Sequence, residues 1–270
     1  MSGIAIFGIT GRMGQTLVRA LQERGPAQPL RLVGAVASPQ SVRLGSEAAA
    51  DGVPTGVIVT ADARTALRDA AVAVDFSLPQ CVAVVARACM EARVPLLVGT
   101  TGFDGATRAV LDAAAAVIPV LIAPNTSMGV NLVARLVKLA ARALGPGYDV
   151  EISEAHHRMK RDAPSGTALA LGEVVAAERG KKLADVAVFD RHGADTRRAA
   201  GDIGFAVLRA GDIVGEHTVI FAIAGERVEI THRATDRVTF AHGALRAAEW
   251  LLRRPPGLYT MDDVLGSDQA

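Results

Sequence analysis

The chain opens on a short apolar strand, GIAIF over 3–7, which runs directly into a turn with three glycines, GITGRMG over 8–14. QTLVRALQERG follows, with apolar residues recurring at helical spacing. Strand, glycine-rich turn and helix in that order constrain the fold most, because this context gives a glycine pattern meaning as a dinucleotide cradle. Gly8 would admit the tight turn, Gly11 a close approach of phosphate to backbone, and Gly14 close packing of helix on strand. A pyrophosphate would lie on the N–H groups at the helix start, where the positive end of the helix dipole sits. The spacing is GxxGxxG, with Thr10 where the commoner GxGxxG has its second glycine. A plain tight turn would use the same residues. The position at the first strand–helix junction favours the cradle.

The next segments extend the pattern. LRLVGAVAS (30–38), AVAVDFS (71–77) and VPLLVGTTG (94–102) read as buried strands, and AAAAVIPVLIAPN (113–125) as a helix end and a further strand. Helical stretches near 62–70 and 79–92 separate them. Strands alternating with helices predict an α/β fold with a Rossmann-type, doubly wound parallel sheet. The composition agrees: 50% of residues are hydrophobic and only 4% aromatic, which suits Val/Ile strands under Ala/Leu helices.

Ligands of such sheets lie at the carboxyl ends of the strands. The ends here are small or polar: Phe76-Ser77, Gly99-Thr100-Thr101 and Pro124-Asn125-Thr126. Singly each is only a loop; together with the glycine turn they are where a nicotinamide would lie. An NAD-selective site places an acid at the end of the second strand, but this chain has Ala37 and Ser38 there. No acid repels a 2′-phosphate, and Ser38, Gln40, Ser41, Arg43 or Arg12 could receive one. The cofactor reading is NADPH or NADH, leaning to NADPH.

After Asn125 the texture changes. SMGVNLVARLVKLAARALG (127–145) is a long amphipathic helix stopped by Gly145-Pro146-Gly147, and YDVEISEAHH (148–157) begins as an alternating strand. A helix is expected from Gly166 to about Glu178, then short strands from 186 on, VAVFDR among them, in an antiparallel or mixed sheet. The segment 240–265 reads as a helix broken at Pro255-Pro256 with a short tail that rejoins the first domain. A dinucleotide-binding domain of 1–126 plus 238–270, with a substrate domain of 127–237 inserted, is the expected organisation.

The stretch EAHHRMKRDAPSGTA (154–168) holds the densest chemistry. Pro164 and Ser165 mark a helix start whose amides near Gly166 and Thr167 suit a substrate carboxylate, although an ordinary cap would look the same. His156, His157 and Lys160 suit proton transfer and anion binding. A solvated basic turn is the bland alternative, and a metal site is the weakest reading. Adjacent histidines diverge, and no HExxH or cysteine cluster supplies further ligands, so no metal is expected. Histidines 192, 217, 232 and 242 read as surface or satisfied core positions.

Net charge of +1 without like-charge blocks argues against nucleic acid. The apolar run near 113–123 carries Pro119 and is shorter than the ~18 residues a bilayer span needs. Cys81 and Cys89, taken as residues of one helix, would lie roughly 12 Å apart, too far for a disulfide. With no signal segment at the N-terminus, a soluble cytoplasmic protein is expected.

GITGRMG, VGTTGF, APNTSMGVN, EAHHRMKRDAPSGTA and RAGDIVGEHTV, in this order and spacing, closely resemble the 4-hydroxy-tetrahydrodipicolinate reductase family. Its members, formerly called dihydrodipicolinate reductases, act in the diaminopimelate route to lysine. The resemblance implies a Rossmann domain, a mixed α/β substrate-binding and oligomerisation domain, a small dicarboxylate substrate and a homotetramer joined through the second sheets. It implies NAD(P)H-dependent reduction with loss of the 4-hydroxyl as water. By motif, His156 becomes a proton donor/acceptor and Lys160 a proton donor, with His157, Gly166 and Thr167 binding substrate. Gly8, Ile9, Thr10, Gly11, Arg12 and Met13, with Gly99 to Thr101 and Ala123 to Thr126, match the cofactor loops. The departure is at the second strand, where many members have Glu-Arg and this chain has Ala37-Ser38 or Ser38-Pro39. Two other readings stay open: another two-domain NAD(P)-dependent amino-acid or semialdehyde dehydrogenase, and a dinucleotide-sensing regulator. The semialdehyde type requires a nucleophilic cysteine, and the regulator has no need of the HHxxK cluster.

Overall fold

The computed structural model describes residues 1–24 and 29–266. Gly25, where the expected first helix ends, and residues 267–270 of the expected first domain lie outside the described residues. The chain forms two compact units, one of Met1–Met128 with the segment from Val238 onward, the other of Gly129–Arg237.

In the first unit, β1 (Ser2–Phe7), β2 (Leu30–Val36), β4 (Val53–Thr60), β5 (Val72–Asp75), β6 (Leu96–Val98), β7 (Pro119–Ile122) and β13 (Gly257–Tyr259) are parallel. The short β3 (Glu47–Ala50) runs antiparallel on the edge, and the sheet order is β13-β7-β6-β5-β1-β2-β4-β3. Strand order reverses direction at β1 and β5, so the sheet is doubly wound as expected, with its switch point between them. The period-2 alternation divides each strand between two cores. Ile4 and Ile6, Val72 and Val74, Leu97 and Leu121 join residues of α1 (Arg12–Glu23) and α8 (Val238–Leu251). Ala5 and Phe7, Ala73, Leu96, Val98 and Val120 join α3 (Val82–Ala92) and α4 (Gly105–Ala115) on the other side. Coverage on both faces is why these strands are continuous apolar runs.

Several local expectations are corrected. The β3–β4 pair was not anticipated. EAAA has little strand propensity, and Pro54 and Gly56 interrupt the β4 pattern, which edge strands tolerate. After Pro255-Pro256 the chain forms β13 and then α9 (Met261–Gly266), not a mere tail; β13 pairs with β7 through three residues, too few for periodicity to show. The helix expected at 62–70 is only α2 (Ala63–Leu67), started by the Asp62 carboxylate accepting the Arg64 N–H. Cys81 lies in a 3-10 turn (Pro79–Cys81) ahead of α3, so Cys89 alone is inside that helix. The strand expected from VAVFDR shrinks to β9 (Ala187–Val188) after a single-turn α7 (Leu183–Val186).

The second unit carries a mixed sheet, order β12-β11-β8-β10-β9. β8 (Asp149–His156) lies parallel to β10 (Ile203–Arg209) and antiparallel to β11 (Gly215–Ile223), which pairs with β12 (Glu226–Ala234). One face is apolar at its start: Val150 and Ile152, Ile203 and Phe205, Val219 and Phe221 pack with α5 (Met128–Leu144) and α6 (Gly166–Glu178). The same alternation then brings Glu154, His156 and His217 onto that buried face, as continuations of the apolar rows.

His217, directly opposite Glu154, is only 5% exposed. Burial drives its imidazole pKa down to about 4, the His156 charge adding to the fall and the Glu154 charge opposing it. Between that value and an ordinary 6.5 the unfolded chain binds more protons than the folded one. This contribution to stability is therefore complete above the ordinary value and lost as pH falls towards 4, by at most on the order of 3 kcal/mol. His217→Gln should flatten the acid dependence of the urea unfolding midpoint, compared near neutrality and at about pH 4.5. Identical pH slopes for the two chains would exclude a titrating His217 as their source.

Candidate active site

In the first unit the expected loops lie side by side, because the strands they follow are neighbours in register. Phe7 aligns with Asp75, Asp75 with Val98, and Val98 with Ile122. Residues 8–13, 76–77, 99–101 and 123–126 therefore leave one end of four adjacent strands. Gly8 has φ +78°, a conformation side chains disfavour, and a Cβ there would lie 2.4 Å from the Phe76 carbonyl oxygen. A Cβ on Gly14 would lie 2.3 Å from the Gly8 oxygen, so close helix–strand packing demands that glycine. Gly11 differs. Its backbone is ordinary and an added Cβ would meet only the Gly8 oxygen, at 3.2 Å. Gly11 is also the N-cap of α1, and no side chain caps that helix start. An uncapped helix start beside a side-chain-free surface fits a bound pyrophosphate.

Asp75 ties two of the loops together. Its buried carboxylate accepts the Ser77 N–H at 2.9 Å and the Thr100 hydroxyl at 3.2 Å. Burial pushes its carboxyl pKa up, opposed by those hydrogen bonds. Thr126 donates to the Phe240 carbonyl at 2.7 Å, anchoring the last loop to α8. At the end of β2, Ala37 is buried, while Ser38, Gln40 and Arg43 are exposed, as is Arg12.

In the second unit, Glu154 is the hub, with no exposed side-chain surface. Oε1 accepts Arg209 at 2.7 Å and the Ser165 N–H at 3.0 Å; Oε2 accepts Arg209 at 2.8 Å and faces His156 Nδ1 at 2.6 Å. Burial is the largest influence on this carboxyl and would raise its pKa. Arg209, His156 and the Ser165 N–H outweigh it and hold the pKa below the usual carboxylate range. Burial lowers the His156 pKa; Glu154 opposes the fall, and Lys160 and Arg209 add to it. His156 is thus a neutral ring against a carboxylate at neutral pH.

Ser165 links this hub to α6. Its hydroxyl accepts the Ala168 N–H at 3.1 Å, capping the helix, and lies 2.8 Å from His217 Nε2. His217 Nδ1 is buried with no hydrogen-bond partner among the described residues. The α6 hydrogen-bond ladder begins with the Leu169 N–H on the Ser165 carbonyl, so Gly166 and Thr167 lie ahead of it. Gly166 is exposed, with open space where a Cβ would be. Lys160 Nζ donates to both Asp162 oxygens at 2.9 Å, and Arg237 lies 3.3 Å from His157 Nε2.

The stretch 154–168 thus brings His156, Lys160, Ser165, Gly166 and Thr167 to one end of the second sheet, with His157 turned to Arg237. Sequence reading missed three members. Glu154 and Arg209 figured there only within the motifs EAHHRMKRDAPSGTA and RAGDIVGEHTV, with no role, and His217 otherwise as a surface or satisfied core position. The strand alternation of EISEAH would have turned Glu154 inward with His156, a signal that was present. Among the described residues no group of three or more His, Cys, Asp or Glu converges as for a metal ion. Cys89 is buried, and burial pushes its thiol pKa up, the opposite of a nucleophile's environment. No helix among the described residues is long and apolar enough to cross a membrane.

Residues 2–126 match the family model described as dihydrodipicolinate reductase, N-terminus, and 129–265 match dihydrodipicolinate reductase, C-terminus. A relative from Thiobacillus denitrificans, named 4-hydroxy-tetrahydrodipicolinate reductase, is 51% identical over 97% of this chain and 98% of its own length. One of the same name from Alkalilimnicola ehrlichii is 52% identical over 97% and 98%. The structure of dipicolinate-bound dihydrodipicolinate reductase from Paenisporosarcina sp. TG-14 has a TM-score of 0.77 at 24% identity, covering 96% of this chain and 97% of that one. At that identity the likeness concerns the fold. Matched along both units, and sharing about half its residues with relatives of one name over nearly its full length, the chain belongs to the dihydrodipicolinate reductase family.

Proposed function

We propose that the protein reduces 4-hydroxy-tetrahydrodipicolinate to tetrahydrodipicolinate with NAD(P)H, in the diaminopimelate route to lysine. The observation that carries this reading is the near full-length identity of about half the residues to relatives of that name. The site geometry supports it from below. The uncapped start of α1 and the side-chain-free surface at Gly11 suit a dinucleotide pyrophosphate, with residues 99–101 and 123–126 holding its nicotinamide end. A bound reduced nicotinamide supplies a hydride.

The overall change consumes that hydride and one proton, while the C4–O bond breaks and water leaves. The protein must therefore hold two carboxylates and deliver protons. The first turn of α6 at Gly166 and Thr167, with His157 beside Arg237, offers the anion-binding groups. Lys160 Nζ carries the donated proton, and Asp162 aims it. His156 is the second proton-exchanging group. Lys160→Ala should reduce turnover by about 10²–10⁴-fold with the dissociation constant of NAD(P)H nearly unchanged. Cofactor oxidation followed by absorbance, with freshly generated substrate, checks this; a wild-type rate would remove Lys160 from the mechanism.

The end of β2 favours NADPH over NADH, because Ser38, Gln40 and Arg43 are exposed there and the strand runs out into Ala37-Ser38 in place of an acid. Ser38→Glu should restore the repulsion and shift the NADH-to-NADPH preference by about tenfold or more towards NADH. The two dissociation constants, measured by nicotinamide fluorescence for both chains, test this. An unchanged ratio would mean that the 2′ end of the cofactor does not lie against Ser38.

A further inference from the structure

We infer that Glu154 is a positioning residue for the reduction. Held by Arg209 and the Ser165 N–H, it fixes His156 as the Nδ1–H tautomer and leaves Nε2 as the atom that exchanges a proton. This rests on the reading in which His156 handles protons.

A carboxylate can only accept hydrogen bonds, through about four lone-pair sites. All four are engaged at Glu154: Arg209 and Ser165 on Oε1, Arg209 and His156 on Oε2. The 2.6 Å contact to Nδ1 therefore requires the proton on that nitrogen. The bidentate Arg209 fork sets the carboxylate plane, and its register partner is His156 itself, so both ends of the relay leave the same row of the sheet. On the other side of the ring, a Cβ at Gly215 would lie 3.0 Å from Nε2. Glycine there keeps that nitrogen approachable. The other charged or titratable groups facing His156 are Lys160, Arg209 and His217, whose ring stands edge-on at 5.1 Å. Glu154 alone of these favours the protonated ring, so its removal should lower the pH at which His156 titrates.

Nitrogen NMR of the histidine-labelled full-length enzyme tests the inference, with the His156 signals assigned by their loss in His156→Gln. Wild type should show Nδ1 protonated and Nε2 bare near neutral pH. In Glu154→Gln the amide can present an N–H to Nδ1, so the proton should move to Nε2. Turnover should fall about a hundred-fold or more, and the acid limb of kcat/KM should move to lower pH. A wild-type ring with its proton on Nε2 overturns the inference, and that measurement needs no variant of Glu154. So does a folded Glu154→Gln chain in which tautomer, turnover or acid limb stays at wild type. His156→Gln turnover separates the two readings: a wild-type rate there defeats proton handling by His156, whatever the tautomer of the ring.

Discussion

A carboxylate with no exposed surface is the constraint around which the second unit is arranged. Glu154 cannot stay ionised in a sheet interior unless its neighbours repay the lost hydration. A guanidinium fork, a backbone amide and an imidazole do so, drawn from β10, the start of α6 and β8 itself. Each donor is thereby fixed in turn. Arg209 also reaches the Asp162 carbonyl, which pins the loop that carries Lys160. Ser165, whose N–H serves the carboxylate, uses its hydroxyl to start α6. The loop, the helix start and the ring orientation are consequences of one buried charge, so a cavity-filling apolar replacement of Glu154 would release all three.

The first unit meets a different constraint, that of close backbone approach. Gly8 turns the chain against the Phe76 carbonyl and Gly14 lets α1 press on that turn. The first strand–helix turn is thereby fixed against the loop after β5, at the switch point of the sheet. Asp75 then joins that loop to the next through Ser77 and Thr100. These contacts are spent on shaping backbone, which leaves the amides of the helix start for a ligand.

The first unit was largely legible in the sequence, because its signals are local. A strand of five apolar residues, a glycine turn and a helix occupy one continuous stretch, and parallel neighbours repeat the unit. The β3–β4 pair and β13 escaped for the same reason: alanine and three-residue strands carry no period, and only the sheet edge recruits them. The Pro-Ser-Gly-Thr helix start was legible to the residue, since capping is a short-range event. The roles of Arg209 and His217 were not, although both lie in the motif RAGDIVGEHTV. They lie 55 and 52 residues from the partners they bind, and a lone arginine or histidine in an alternating strand looks like any other. Register across three strands brings them to Glu154 and Ser165, and register is a tertiary property.

Register also explains why polarity can intrude on an apolar core without dissolving it. Along β8 the inward row reads Val150, Ile152, Glu154, His156, and its neighbours read Ile203, Phe205, Val207, Arg209 and Phe221, Val219, His217, Gly215. β8 and β11 thus turn polar on that face at the level of Glu154 and His217, and β10 one pair further on, at Arg209. Had one strand slipped by a single residue, Arg209 or His217 would point to the opposite face and Glu154 would be stranded. The apolar half of the face fixes that register by packing, and the polar half uses it to gather the partners of Glu154. The two requirements are separated along the strand, so the site gains a rigid foundation without sharing its residues.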